Sequence, residues 1–275
     1  MLLNNRIIFK DNATLLDKSV DLSNVFSGTV STVIVALEDA LFIGSDLPFN
    51  HRYIQIGTAN SNSCTITVSV WDGSTFNAVV DGFDQTSGFT TSGILSWVKD
   101  TSQSWGQEQS TETVTGLTTL KIYDLYWVKL TFSANMSAGT TLKYVGHKFC
   151  EDADLGGYYP DLILSATKTA FSSGKTDWTE QEVLASEEII SDLRKKKFIW
   201  SDSQILDWNI FNLACVHKTA EIIFRAFGDD YKDNLIEANK QYHKAMSGLD
   251  FNVDTNEDGE LDEAEKFRVS GMFRR

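Results

Sequence analysis

Glu151-Asp152-Ala153-Asp154-Leu155-Gly156-Gly157-Tyr158-Tyr159-Pro160 divides the chain into two stretches of different pattern. Acidic residues, a glycine pair and a proline in one short segment have the composition of a boundary. The segment 151–160 is read as a linker between residues 1–150 and residues 161–275. Upstream, serine, threonine, glycine and aromatic residues are abundant and apolar side chains recur with period two. Downstream, no further proline occurs and the apolar spacing turns helical. The expected fold class is therefore α+β: an N-terminal antiparallel β-sandwich, jelly-roll-like, followed by a C-terminal α-helical bundle.

In the first half, Thr65-Ile66-Thr67-Val68-Ser69-Val70 places its aliphatic residues on one face of a strand. Trp71-Asp72-Gly73-Ser74-Thr75-Phe76 then turns the chain and Ala78-Val79-Val80 returns, with Asp-Gly as the hairpin signal. Further strands are expected over 30–37, 53–56, 93–98, 118–123, 127–132 and 141–149. Residues 10–25 fit no single element. On the strand 127–132, Val128, Leu130 and Phe132 share one face and Trp127 the other, so Trp127 points outward unless the sheet is covered on both sides.

In the second half, a first helix is expected over 161–172. Thr179-Glu180-Gln181-Glu182 has capping-box spacing and opens a second helix running to Lys197. Ser201-Asp202-Ser203-Gln204 has the same spacing and opens a third, Ile205 to Phe227, which is apolar nearly all round and so is expected to be buried on several sides. Gly228 ends it. A fourth, polar helix runs from Asp229 to Met246, with Gly248 as its cap.

Beyond Gly248 lies the sharpest chemical signal. Asp254-Thr255-Asn256-Glu257-Asp258-Gly259-Glu260-Leu261-Asp262-Glu263-Ala264-Glu265 fills the diagnostic positions of the EF-hand calcium loop. Calcium takes six to eight hard oxygens. Asp254, Asn256 and Asp258 are expected to give side-chain oxygens, Glu260 its carbonyl, Asp262 a direct or water-mediated contact, and Glu265 both carboxylate oxygens. Gly259 allows the sharp turn and Leu261 tethers the loop to a core. Without a cation these acids repel one another, so metal binding is expected to be coupled to folding of the C-terminus. One loop without a partner suits a structural clip better than a sensor. Such a clip would dock Phe267, Val269, Met272 and Phe273 of the tail 266–275 against the fourth helix or a neighbouring subunit.

Composition narrows the function classes. Lys and Arg number 24 against 38 Asp and Glu, a net charge of −14, which disfavours nucleic acid and anionic membrane as partners. The basic run Arg194-Lys195-Lys196-Lys197 complements a helix C-terminus. No stretch is apolar enough to span a bilayer, the N-terminus lacks a signal-peptide layout, and synthesis in a cytoplasm is expected. Cys64, Cys150 and Cys215 read as buried thiols. His51, His147, His217 and His243 are scattered singly, and phosphate-loop, nucleophile-elbow and zinc-protease motifs are missing, so no catalytic residue is assigned and the chain is not read as an enzyme. A calcium-dependent enzyme acting on polysaccharide ranks last.

The helical half resembles the head–tail connector, or neck adaptor, proteins of tailed bacteriophages. The resemblance is carried by Asp177-Trp178-Thr179-Glu180-Gln181-Glu182, Asp192-Leu193-Arg194-Lys195-Lys196-Lys197, the long apolar helix, Asp230-Tyr231-Lys232-Asp233 with Tyr242-His243-Lys244, and the acidic loop with its arginine-rich end. The β-half resembles phage-associated sandwich modules through residues 42–50, 70–76 and 126–133. So large a sandwich departs from the helical family pattern. The resemblance implies a virion protein forming a homo-oligomeric ring, commonly twelvefold. Such a ring binds the portal protein and the next neck or tail protein, and DNA passes through it without sequence-specific contacts. It also implies that residues 267–275, including Arg274 and Arg275, reach into a partner. A rival expectation is a glycan-binding module or adhesin, in which Trp71, Phe76, Phe83, Phe89, Trp97, Trp105 and Trp127 line a sugar-stacking face.

Overall fold

The computed structural model of the protein describes residues 5–79, 81–98, 105–107, 117, 124–249, 252–257 and 259–265. It is α+β, with two antiparallel sheets and six helices among the described residues. The chain forms two compact units. The first comprises residues 1–146 with 201–204 and 256–260, and the second residues 147–200, 205–255 and 261–275.

The strands of the first unit are β1 (Arg6–Asp11), β2 (Thr14–Asp17), β3 (Val30–Ser31), β4 (Ala40–Ser45), β5 (His51–Thr58) and β6 (Ile66–Trp71). They continue with β7 (Phe76–Ala78), β8 (Asp81–Asp84), β9 (Gly93–Val98), β10 (Tyr126–Phe132) and β11 (Thr141–Gly146), and one short helix, α1 (Ser19–Leu22), follows β2. One sheet has the order β2-β1-β4-β10-β6-β7 and the other β3-β11-β5-β9-β8. A single apolar cluster draws on both: Ile7, Leu41, Ile43, Val68, Val70, Val128 and Leu130 from the first, Ile54, Leu95, Trp97, Leu142 and Val145 from the second. Alternation along each strand selects these residues.

The opposite side chains of the six-stranded sheet are also buried. Ile8, Ala40, Phe42, Trp71 and Trp127 form a separate cluster with Leu117 and Leu125. Trp127 is thus on the other face from Val128, as parity predicts, but that face is covered. Its partner across the β4–β10 ladder is Gly44, and a Cβ there would come within 2.7 Å of the indole.

The hairpin of β6 and β7 pairs Trp71 with Phe76 across a four-residue turn, longer than the two-residue Asp-Gly type. The Asp72 carboxylate accepts hydrogen bonds from the Ser74 and Thr75 amides, both at 2.7 Å, and these hold its pKa down to about 2. The strand expected over 30–37 stops at Ser31. Beyond it the Asp39 carboxylate accepts from the Val35 amide at 2.7 Å and from the Asn12 amide at 2.7 Å, so a side chain takes the place of a ladder. The strand begun at Thr141 ends at Gly146 rather than Phe149. The ambiguous residues 10–25 contain the β1–β2 turn and α1. The strand expected over 118–123 lies outside the described residues.

The second unit contains α2 (Asp152–Tyr158), α3 (Ser165–Phe171), α4 (Thr179–Lys195), α5 (Asn212–Phe227) and α6 (Lys232–Ser247). The segment read as a linker is therefore folded. Glu151 and Asp154 cap α2 reciprocally, with the Glu151 amide donating to Asp154 at 2.9 Å, and Leu155 is fully buried in the helical core. Boundary composition here serves a short capped helix. The first expected helix is split: a 3-10 turn over Pro160–Ile163 precedes α3.

α5 packs against α4, α6 and α2, which explains its lack of a polar face. It begins at Asn212, seven residues later than expected, because Asp207 accepts from the Asn209 amide and sets a separate 3-10 turn over Trp208–Phe211. Gly228 ends it at φ 81. At the second expected capping box the Gln204 side chain does reach back to the Ser201 amide at 3.5 Å, but the segment opens only a 3-10 turn over Asp202–Gln204. Asp177 accepts from the Thr179 amide at 3.0 Å and so caps α4, while Glu182 turns inward. Ser201–Gln204 belongs to the first unit, where Asp202 pairs with Arg52. Arg194 to Lys197 is a solvated helix end, with the three lysines exposed.

Candidate metal centre

The loop that follows α6 starts from the helical core, in which Val253 is buried. Asp254 is 1% exposed and Glu265 2%, so the first and last positions of the expected calcium loop are both withdrawn from solvent. Within the second unit, the Thr255 amide and hydroxyl each donate to Glu265 Oε1 at 2.7 Å. The Asp262 amide donates to Oε2 at 3.3 Å. Glu265 is thereby fixed beside the residue that follows Asp254.

Asp262 plays a local part as well. Its Oδ1 accepts from the Ala264 amide at 2.7 Å and the Glu265 amide at 3.0 Å, an Asx turn that aims Glu265 inward. Gly259 adopts φ 86, the left-handed conformation its place in the loop demands, and Glu257 has φ 56. In the first unit, the Glu257 carboxylate accepts from the Ser201 hydroxyl at 2.5 Å. Asn256, Glu260 and Asp262 are exposed and Leu261 is half-buried.

Of the expected ligands, the structure thus buries Asp254 and Glu265 and leaves Asn256, Glu260 and Asp262 at the surface. Asp258 lies outside the described residues, as do Phe267, Val269, Met272, Phe273, Arg274 and Arg275. Among the described residues no group of three His, Cys, Asp or Glu side chains converges as a metal site. The donors are hard oxygens and the glycine has the required backbone. By chemistry the set fits calcium.

The other ionisable groups meet in pairs that sequence reading missed. Lys148 lies 3.1 Å from Glu182 and 2.6 Å from Glu151. Lys218 lies 2.7 Å from Glu188 and 3.1 Å from Glu221. His147 is fully buried and contacts Glu187 at 2.9 Å. His217 contacts the Tyr159 hydroxyl at 2.8 Å. Burial pushes that phenol up to about 12, helped by Glu237, and pulls the His217 imidazole down. Partners are 40 and 58 residues apart in the two histidine pairs, which no local motif encodes.

The seven aromatic residues considered for a sugar-binding face are mostly interior. Trp71, Phe89, Trp97 and Trp127 are buried, Phe76 and Trp105 partly so, and Phe83 alone among them is exposed. Among the described residues no helix is long and apolar enough to cross a membrane. The chain matches no family model, no curated protein and no solved structure.

Proposed function

We propose that this chain is a structural virion protein: a ring-forming head–tail connector, or neck adaptor, of a tailed phage, carrying calcium in the loop 254–265 as a structural clip. In this reading the β-half is a jelly-roll-like sandwich, the helical half is the bundle that forms the ring, and the chain performs no catalysis. The ring, twelvefold, seats beneath the portal protein, receives the next neck or tail protein and extends the DNA channel. A net charge of −14 suits a lumen through which DNA slides without being gripped.

The observation that carries the reading is the sequence of elements at the C-terminal side. α5 and α6, joined by the short connection 228–231, pack closely, and α6 leads through buried Val253 into a loop whose end acids are buried. A divalent cation there would fix the direction in which residues 266–275 leave the helical unit, toward an adjoining protein. Trp71, Phe89, Trp97 and Trp127 are buried, which weighs against a glycan-binding face built on all seven rings.

Mass photometry and electron microscopy of the purified chain with calcium, alone and with the portal protein of the same phage, test this. A ring of uniform stoichiometry, or one formed on the portal, is the expected result. A chain that stays monomeric under both conditions overturns the connector reading. Calcium binding is scored separately, by calorimetry.

A further inference from the structure

Two of the three cysteines meet. Cys150 lies between β11 and α2, Cys215 lies on α5, and their sulfurs are 2.8 Å apart although the residues are 65 positions apart in the chain. Both are buried in the helical core, at 3% and 0% exposure. Cys150 donates its S–H to Cys215, and the Cys215 S–H faces the Glu182 carbonyl of α4 at 3.7 Å. Ser186 lies 3.4 Å from the Cys215 sulfur, and Thr219 lies 3.6 Å from the Cys150 sulfur.

The two thiols are not equivalent. Burial pushes Cys150 well up, and its bond to Cys215 adds to this. Burial also opposes ionisation of Cys215, but donors from Cys150, Ser186, the Phe149 amide and Thr219 outweigh it and hold that thiol below its ordinary value. Cys215 is therefore the sulfur that ionises first. Cys64 supplies a contrast. It lies in the cluster shared by the two sheets, where its sulfur accepts from the Asn60 side-chain amide and faces the Gly88 carbonyl.

We propose that Cys150 and Cys215 are an oxidisable thiol pair that closes to an intrachain disulfide when a hydroperoxide reaches them, stapling segment 147–151 to α5. The Cys215 thiolate attacks one oxygen of hydrogen peroxide. The S–O bond forms, the O–O bond breaks, and the departing hydroxide takes up the proton that Cys215 lost on ionising and leaves as water, so that a sulfenic acid stands on Cys215. The Cys150 sulfur then attacks the Cys215 sulfur, the S–S bond forms, and the S–O bond breaks. The departing hydroxide takes the Cys150 proton as a second water. The two sulfurs lose two electrons in total, and the peroxide gains them. Access comes from local opening of residues 147–151, which lie in neither strand nor helix.

The test uses the full chain, fully reduced and then exposed to hydrogen peroxide, followed by alkylation and non-reducing peptide mapping. The expected product is one peptide pair joining Cys150 to Cys215, lighter by two hydrogens, with Cys64 alkylated. A rise in Tm on the order of 5–10 °C, reversed by dithiothreitol, should accompany it, because the crosslink closes a long loop in the unfolded chain. Cys215→Ser should abolish the reductant-sensitive rise and Cys64→Ser should keep it. Alkylation of both Cys150 and Cys215 after peroxide overturns the proposal. So do sulfinic acid at either, or crosslinks that run through Cys64 or between chains. Should Cys215→Ser fail to fold, the peptide map of the unsubstituted chain decides.

Discussion

Lys148 Nζ lies 3.1 Å from the Glu182 carboxylate, and both side chains are almost wholly buried. That distance alone would mark an ion pair. Burial outweighs it: desolvation lifts the Glu182 carboxyl to about 9, against the opposing pull of Lys148. At neutral pH Glu182 is therefore a neutral acid, and the Lys148 charge is met by Glu151 at 2.6 Å.

A pH dependence follows from Glu182. Its folded pKa lies above the unfolded value, so the folded state holds the proton more tightly. The resulting stability is complete below about pH 4.5 and is lost as pH rises through about 9. One such proton gives a slope of at most about 1.4 kcal/mol per pH unit. Urea unfolding between pH 5 and pH 10 should show this decline in the natural chain and a flatter profile in Glu182→Gln. Equal slopes would mean that Glu182 is ionised in the folded state.

Arg52 and Asp202 form a secluded charge pair in the first unit. Their closest atoms are 3.5 Å apart, both side chains are 1–2% exposed, and the guanidinium sits 3.9 Å over the Phe49 ring. Removing one partner leaves a buried charge, so Asp202→Ala should cost about 3–5 kcal/mol in chemical denaturation. Replacing Arg52 by Met together with Asp202→Ala should cost less than the sum of the single changes.

If calcium fills the loop 254–265, saturating calcium at a hundredfold excess over Kd should stabilise the chain by about 2.7 kcal/mol. Chelator should reverse the gain. Asp254→Ala combined with Glu265→Ala should abolish the response. Gly259→Ala forces a side chain into left-handed backbone at about 1–2 kcal/mol and should weaken binding roughly tenfold. Calorimetric titration reads each effect, and a natural chain indifferent to both calcium and chelator would refute the assignment.

The start of α4 separates two ways of capping it. Asp177 makes the bond to the Thr179 amide, and Glu182 is engaged elsewhere. Asp177→Ala should therefore cost about 1 kcal/mol, and Thr179→Ala should cost less. A larger loss at Thr179 by thermal unfolding at pH 6 would restore the box suggested by spacing.

Period-two and near-four-residue apolar patterns were readable because burial acts on each element separately. Val68, Val70, Val128 and Leu130 fall on one face of their strands, and α5 is buried around its circumference. Three kinds of feature escaped. Asp39 and Asp207 capture backbone amides locally and so shorten a strand and a helix whose apolar pattern runs further. The boundary composition of 151–160 is equally that of a capped helix, and only its packing on Leu155 decides. Pairs such as Cys150 with Cys215 exist only once distant segments meet. At the loop, Gly259 and the inward aim of Glu265 were legible, whereas the tie from Thr255 was not.

Gly44 and Trp127 face each other across neighbouring strands, with room for one indole and nothing more. The two positions cannot drift independently. In any lineage of this chain, a larger residue at 44 must arrive with, or after, a smaller one at 127, and the reverse order of substitutions is closed.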